Sequence, residues 1–206
     1  MSESSGGGGS VKRVELSMER PIWSNFFTVA PLTLVGTIEE DGSPDIAPKH
    51  MAMPLGWNNF FCFACSPNHA TQRNAQRTGE FTVSFPRPGQ VVEASLAAGP
   101  RSVEGDKPSL AAIETFPASE VEGILVEDAY LWLECRLDKV IEGYGDNSLI
   151  IGEIVAARVA EACLRKSDGD DADLLASEPL LAYLSPGRFA RVSDTYSFPF
   201  HVDFKR

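Results

Sequence analysis

Two cysteines lie in the stretch FFCFACSPNHATQRNAQRTGEF, which begins at Phe60. Cys62 and Cys65 have the C-x-x-C spacing of redox dithiols and zinc ligands. A redox pair needs a helix terminus that lowers the thiol pKa, whereas these residues lie in a phenylalanine-rich segment typical of a strand. Residues three apart on a strand point to opposite faces, and Cys135 and Cys163 show no paired spacing that would complete a zinc site. The sequence therefore favours small buried side chains and predicts no metal.

The polar run after Cys65 has the residue types of an anion-binding turn. Residues 66–68, Ser-Pro-Asn, can break the chain direction and cap a helix, which Gly79 would end. Thr71 and Asn74 would share one helix face. Free amide groups at a helix start, with a hydroxyl and an amide side chain beside them, suit a phosphate. The alternative is a simple helix cap with solvated neighbours, and this segment by itself does not separate the two.

A second candidate segment, DGSPDIAPKHMAM, contains two prolines within a strand-like pattern. Pro44 and Pro48 cannot donate a ladder hydrogen bond, so they belong at a sheet edge or a bulge. Such a strand leaves backbone groups free to face a planar polar ligand, and Lys49 and His50 follow at once. The alternatives are an ordinary edge strand and a surface histidine.

The elements that must position these residues are mostly short strands. Hairpin patterns occur around Asp41-Gly42 and Gly145-Asp146, and further strand patterns are NNFFCFACS, GEFTVSF and GRFARVS. Helical patterns are HATQRNAQRTG, GQVVEASLAA, KPSLAAIETF and DADLLASEPLLAYL. Many strands with few helices predict a mainly β protein, an antiparallel β-barrel with short helices, rather than a parallel sheet.

Several acidic residues could suggest acid–base or metal chemistry. Glu127, Asp128 and Glu134 lie in or near the pattern AYLWLECRLDKVIEG, whose alternation places Glu134 on an exposed face. We therefore expect these carboxylates to be solvated. The run SDGDDADL lacks the later Gly and Glu of a calcium loop, which favours an acidic turn.

Composition limits the class of protein. The chain has 206 residues, a mass of 22.3 kDa and a formal charge of −11, which disfavours nucleic acid or an anionic membrane as partner. We expect a flexible Gly/Ser-rich tail at 1–20 followed by one domain at 21–206. The start has no basic and apolar signal, no run reaches membrane-spanning length, and the four cysteines form no disulfide framework. These features predict a cytoplasmic protein.

The order of these segments resembles the flavin reductase-like family of FMN-binding split-barrel proteins. The similarity begins with DG-x-P-x-x-AP and T-x-x-N-x-x-x-x-GEF and continues through GDKPS, AYLWLEC, NSLIIGEI and PLLAYLSPGRFA. It covers about residues 26–191. The resemblance implies a split Greek-key β-barrel that forms a homodimer and binds FMN near the subunit interface.

The resemblance also assigns roles to residues of this chain. The isoalloxazine would meet the backbone of Ala47, Pro48, Lys49 and His50; Cys65 and Ser66 would approach the ring or ribityl chain; Thr71 and Asn74 would hold the phosphate.

Two departures from the family pattern concern charge at this site. Asp45 stands where many relatives have Asn, and His69 precedes Ala70 where many have Arg or Lys. The positive partner of the phosphate is therefore open among His69, Arg73, Lys49 and Lys107.

The function implied is hydride transfer from NAD(P)H, a transient co-substrate, to FMN, with a separate oxygenase as one destination of the reduced flavin. A flavin carries the redox chemistry itself, so the protein need only position it. Accordingly the chain has no G-x-G-x-x-G, G-x-S-x-G or H-E-x-x-H pattern. His50 is a candidate proton donor, with a packing role as the alternative. The other hypotheses are an electron carrier without turnover and an FMN-dependent reductase of a small organic substrate.

Overall fold

The computed structural model describes residues 11–102, 105–166 and 172–199. Its strands are β1 Thr28–Pro31, β2 Thr33–Ile38, β3 Pro44–Lys49, β4 Ala52–Pro54, β5 Phe60–Cys65, β6 Glu80–Phe85, β7 Thr115–Pro117, β8 Ile124–Val126, β9 Leu131–Tyr144, β10 Asn147–Val159, β11 Leu180–Ser185 and β12 Arg188–Val192. Its α-helices are α1 Ala70–Thr78, α2 Val91–Leu96 and α3 Ala172–Ser177, and 3-10 turns occur at Ile22–Ser24, Pro88–Gln90, Pro108–Ala112 and Glu161–Cys163.

Seven strands form one curled antiparallel sheet in the order β3-β2-β6-β9-β10-β5-β4. Strands β1, β11 and β12 form a second sheet, and β7 and β8 pair as a short hairpin. The prediction of a mainly β protein with short helices is confirmed.

Two hydrophobic clusters cover opposite sides of β2. Val35 belongs to a cluster that includes Phe63 and Phe81, whereas Leu34 belongs to one with Ile46 and other residues around α2. All six residues of β2 are therefore buried. Its two threonines, Thr33 and Thr37, are buried with the rest of the strand.

Glycines that the sequence predicts at turns lie where helices and strands end. Gly79 follows α1 with φ +73°, and Gly145 has φ +63° in the β9–β10 turn. At the Asp41-Gly42 turn the amide of Glu39 donates to the carbonyl of Ser43. The prediction of a helix or turn across DADLLASEPLLAYL is wrong for its second half. That half belongs to strand β11, Leu180–Ser185, which pairs with both β1 and β12.

Glu134 is not solvated as its alternating pattern predicted. It is 1% exposed, and its carboxylate accepts hydrogen bonds from the amides of Ser119, Glu120 and Val121. Arg158 also donates to it at 3.0 Å. The loop before β8 supplies these donors, and a strand pattern cannot reveal a loop that covers it.

Glu127 and Asp128 are exposed, as expected. No helix of the described residues is long and apolar enough to cross a membrane. Residues 167–171, which hold most of the acidic run SDGDDADL, lie outside the described ranges, as do residues 1–10 of the expected tail.

Candidate functional site

Three segments surround a cavity of about 370 Å³, here called the polar cavity. Strand β3, the start of α1 and the connection that follows α2 each contribute part of its wall. Its lining residues are Asp45, Ala47, Pro48, Lys49, Asn68, His69, Ala70, Thr71, Ala97, Ala98, Gly99, Pro100, Arg101 and Lys107.

The start of α1 provides the donors of the polar cavity. The amides of the first helical turn have no intrahelical acceptors, and His69, the N-cap, makes no side-chain cap. No acidic residue lies in the first turn. Thr71 is 2% exposed, and its hydroxyl makes no hydrogen bond to the described residues. This helix end can therefore accept an anionic oxygen.

A buried charge cluster lies beside these donors. Lys107 donates to the carboxylate of Asp45 at 3.0 Å and to the carbonyl of Ile46 at 2.7 Å. Arg101 lies 3.2 Å from Asp45 and 2.8 Å from Glu39. The connection after α2 is thereby attached to β3. Asp45 and Glu39 offset part of the positive charge that Arg101 and Lys107 would otherwise offer to a ligand.

One hydrogen-bond donor and one cationic group of the cavity remain available. The buried Nε of Arg101 has no hydrogen-bond partner among the described residues, although a buried N–H normally has one. The ammonium of Lys49 makes no ion pair within the described ranges. An orphaned buried donor, an unpaired lysine and an uncapped helix start together fit a phosphate monoester.

A second cavity of about 360 Å³ adjoins the first and shares Pro48 and Ala98 with it. We call it the aromatic cavity, since its lining includes His50 and Tyr183, whose rings lie in contact with centroids 4.6 Å apart and planes tilted by 37°. Burial, together with the nearby charge of Lys49, lowers the pKa of His50. Both effects favour the neutral imidazole of His50 over the imidazolium.

The structure brings together six of the predicted site residues in the polar cavity: Ala47, Pro48, Lys49, His69, Thr71 and Lys107. It does not place four others in that lining. His50 lies in the aromatic cavity. Asn74 is buried and donates to the hydroxyl of Thr37 at 3.3 Å, because its helix face packs on β2.

Cys65 and Ser66 also lie outside the polar cavity lining. Cys65 is 2% exposed, and its Sγ lies 3.9 Å from Nδ1 of His69. The hydroxyl of Ser66 accepts a hydrogen bond from the amide of Asn68. Both residues shape the turn before α1. Arg73, another candidate for the phosphate, donates instead to the carbonyl of Asn68 at 2.6 Å.

The C-x-x-C residues are buried, as expected. Cys62 is 1% exposed, and burial raises the pKa of its thiol, which disfavours the reactive thiolate. Among the described residues there is no group of three or more His, Cys, Asp or Glu side chains arranged to hold a metal ion.

Sequence reasoning missed Arg101 and Gly99. Both follow α2 in a segment, AAGPR, that has no ligand-binding pattern. The one local signal was Gly99-Pro100, a dipeptide that marks a loop, and nothing local indicated that the loop would fold onto β3.

Comparison with known proteins relates most of the chain to one family of proteins. A model of the flavin reductase like domain matches residues 27–185. An uncharacterized protein of Methanothermobacter thermautotrophicus is 28% identical over 174 residues, covering 82% of each chain.

Solved structures share the fold. Nitrilotriacetate monooxygenase component B from Bacillus cereus superposes with a TM-score of 0.78 at 20% identity, covering 92% of this chain and 100% of the other. Flavoredoxin from Methanosarcina acetivorans has a TM-score of 0.74 at 21% identity, with coverages of 93% and 97%. A protein from Shewanella frigidimarina whose description names a split barrel domain has a TM-score of 0.74 at 16% identity, with coverages of 84% and 87%. The expected split barrel is thus confirmed.

Proposed function

The chain belongs to the flavin reductase-like family of flavoprotein oxidoreductases, and on this premise we propose that it binds FMN and transfers a hydride to it from NAD(P)H. The observation that carries the proposal is the polar cavity. It combines an uncapped helix start with an unpaired lysine and an orphaned arginine Nε, beside the edge strand β3.

The phosphate of FMN is assigned to the start of α1. Thr71 would donate its hydroxyl, and the first-turn amides would donate beside it. Lys49 supplies positive charge without an ion-pair partner among the described residues, and the Nε of Arg101 supplies a free N–H donor, although its guanidinium is paired with Glu39 and Asp45. His69 lines the same cavity. Asn74 would reach the phosphate only after leaving Thr37, so Thr71 is the stronger candidate ligand.

The isoalloxazine is assigned to the Ala47–Pro48 part of β3. Pro48 lies at the junction of the two cavities, and as an edge-strand proline it leaves the neighbouring backbone unpaired on one side. A bound flavin supplies two-electron redox chemistry through its own ring system. The protein then needs to orient the two nucleotides and exclude water, which calls for no side-chain nucleophile.

A flavin titration followed by turnover tests the proposal. The purified protein should quench FMN fluorescence on titration, and NADH or NADPH should be oxidised at a rate that depends on added FMN. Flavin binding without nucleotide oxidation would favour the electron-carrier hypothesis. An absence of both would overturn the proposed function.

The edge of the large sheet supports a homodimer. Strand β4 is the last strand of that sheet, and it carries or adjoins the exposed side chains of Met51, Met53 and Trp57. Exposed apolar groups at a sheet edge favour association. Sedimentation equilibrium measures the association of two chains. We expect the wild-type protein to be a dimer and the Trp57→Glu variant to dissociate more readily. An oxygenase that receives reduced flavin stays a prediction.

A further inference from the structure

We propose that residues 11–27, here called the N-terminal arm, pack against a second copy of this chain. Among the residues of the arm, only Ile22 is partly shielded from solvent. The arm exposes seven large apolar side chains, each at least 38% exposed: Val11, Val14, Leu16, Met18, Trp23, Phe26 and Phe27. A surface that exposes so many large apolar groups together marks an interaction site.

The arm is not fastened to its own barrel by polar contacts. Its hydrogen bonds join Ser17 to Glu19 and Ile22 to Asn25, and within the described ranges none joins the arm to the barrel. None of its five charged side chains forms an ion pair with a described residue. A cavity of about 570 Å³ beside the arm is lined by arm residues alone. The apolar side chains of the arm therefore lack a shielding surface within their own chain.

The surface that suits the arm lies at the edge of the barrel, and we call it the edge patch. It consists of Val29 on β1, Met53 on β4, and Met51 and Trp57 just before and after β4, each more than half exposed. Strands β1 and β4 are in contact, and each is the last strand of its sheet. Flexible methionine side chains adapt to the shape of a partner, and an apolar sheet edge favours association.

The connection of the two surfaces indicates a second copy as the partner. The arm and the edge patch are both exposed in one chain, so the arm does not cover the patch of its own copy. The arm ends where β1 begins at Thr28, so every copy carries both surfaces. Two copies related by a twofold axis can exchange arms, and each arm then covers the patch of the partner.

Charge also favours this partner. The arm has three basic and two acidic side chains, whereas the whole chain has a net charge of −11. A weakly basic arm is attracted to a second copy of an acidic barrel rather than repelled by it. The inference rests on the proposed homodimer and adds the segment that closes it, and it does not depend on flavin.

Photo-crosslinking of the full chain in solution tests the proposal. The photoreactive residue p-benzoylphenylalanine, in place of Phe26, inserts on irradiation into C–H bonds within its reach. We expect a covalent pair of chains in which the arm of one chain is joined to residues 51–57 of the other, as mass spectrometry of the digested product would show. The same replacement at Tyr144, an exposed aromatic residue at the end of β9, is the matched control and should give no such product.

Sedimentation equilibrium provides a second measurement. Trp23→Glu places a charge in the arm and should raise the dissociation constant of the dimer by more than about tenfold, the effect of losing a buried aromatic residue at an interface. Tyr144→Glu makes the same kind of change outside the arm and the edge patch, and should leave the dissociation constant unchanged.

Crosslinks that form only within one chain would overturn the inference, and so would an unchanged dissociation constant for Trp23→Glu. If Trp57→Glu dissociates the dimer and Trp23→Glu does not, the proposed homodimer stands and the role of the arm fails. A wild-type protein that stays monomeric at all concentrations would overturn both.

Discussion

The ammonium group of Lys107 lies 3.0 Å from the carboxylate of Asp45, and the two side chains are only 7% and 5% exposed. This pair attaches the connection after α2 to β3, directly beneath the polar cavity. A buried ion pair depends on both partners, because either charge left alone in a dry environment is costly. The pair therefore holds part of the wall of the proposed phosphate site.

Replacement of Asp45 by Asn should lower the stability of the protein and raise its affinity for FMN. The amide oxygen can still accept from Lys107, but Lys107 loses its counter-charge and Arg101 keeps only Glu39. We expect the flavin-free variant to lose about 2 kcal/mol of unfolding free energy and to bind FMN several-fold more tightly. Urea unfolding and fluorescence titration measure the two effects. Glu40→Gln removes an exposed acid nearby as the control, and weaker FMN binding by Asp45→Asn would contradict this electrostatic account.

Substitution of Thr71 by Val should reduce FMN affinity about tenfold by removing one hydroxyl donor to the phosphate. Val has nearly the same shape, and the hydroxyl makes no bond to the described residues, so the melting temperature should change little. Thr115→Val, at an exposed position of β7, is the matched control for the loss of a hydroxyl. Equal FMN affinity in the Thr71 variant and wild type would remove Thr71 from the proposed site.

Glu134 should make stability depend on pH. Burial favours the neutral form of Glu134 and by itself would raise its pKa. The pKa is nevertheless lowered, because the carboxylate accepts hydrogen bonds from the amides of Glu120 and Ser119 and from the Ser119 hydroxyl, and lies near the charge of Arg158. The stability it contributes is thus present above the unfolded pKa, near 4.5, and lost as pH falls through the lower folded pKa.

We expect Glu134→Gln to lower the free energy of unfolding by about 2–4 kcal/mol at pH 7, because a buried carboxylate that accepts several hydrogen bonds is lost. The deficit relative to wild type should shrink as pH falls below about 4.5. Urea unfolding curves between pH 7 and pH 3 provide the measurement. Glu127→Gln, an exposed acid in the same region, should show no such dependence, and a pH-independent deficit in Glu134→Gln would refute the linkage.

Gly152 permits the close approach of β10 to the core. A Cβ at this position would lie 2.5–2.6 Å from ring atoms of Phe81 and 3.1 Å from the carbonyl of Arg136. Gly152→Ala should therefore destabilise the fold by about 1–3 kcal/mol, the usual cost of overpacking. Gly89→Ala meets no atom within 4 Å and serves as the control. Thermal unfolding that shows equal stability for the two variants would contradict the steric reason.

Local chemistry made part of this protein predictable. The end of α1 at Gly79 and the β9–β10 turn at Gly145 follow from backbone conformations that glycine adopts readily. The burial of Cys62 follows from the apolar residues beside it on a strand. The segments that line the polar cavity at Pro48 and Thr71 were also recognisable, because proline in a strand and polar residues before a helix are local signals.

The partners of charged groups were decided by the tertiary structure. Glu134 has the pattern of an exposed strand residue, yet a loop folds over it and binds its carboxylate. Arg101 carries no local signal, yet the loop after α2 brings it to Asp45. Asn74 was expected at the phosphate, whereas packing of α1 on β2 pairs it with Thr37.

By itself, then, the sequence determined most of the element types, the main turns and the family resemblance, because each depends on residues that are near neighbours along the chain. Only the folded chain decided which charges are paired, which remain available to a ligand, and that a second, aromatic cavity opens beside the first. Those outcomes depend on contacts between distant segments, and the energy of a charged or polar group depends on what surrounds it in space.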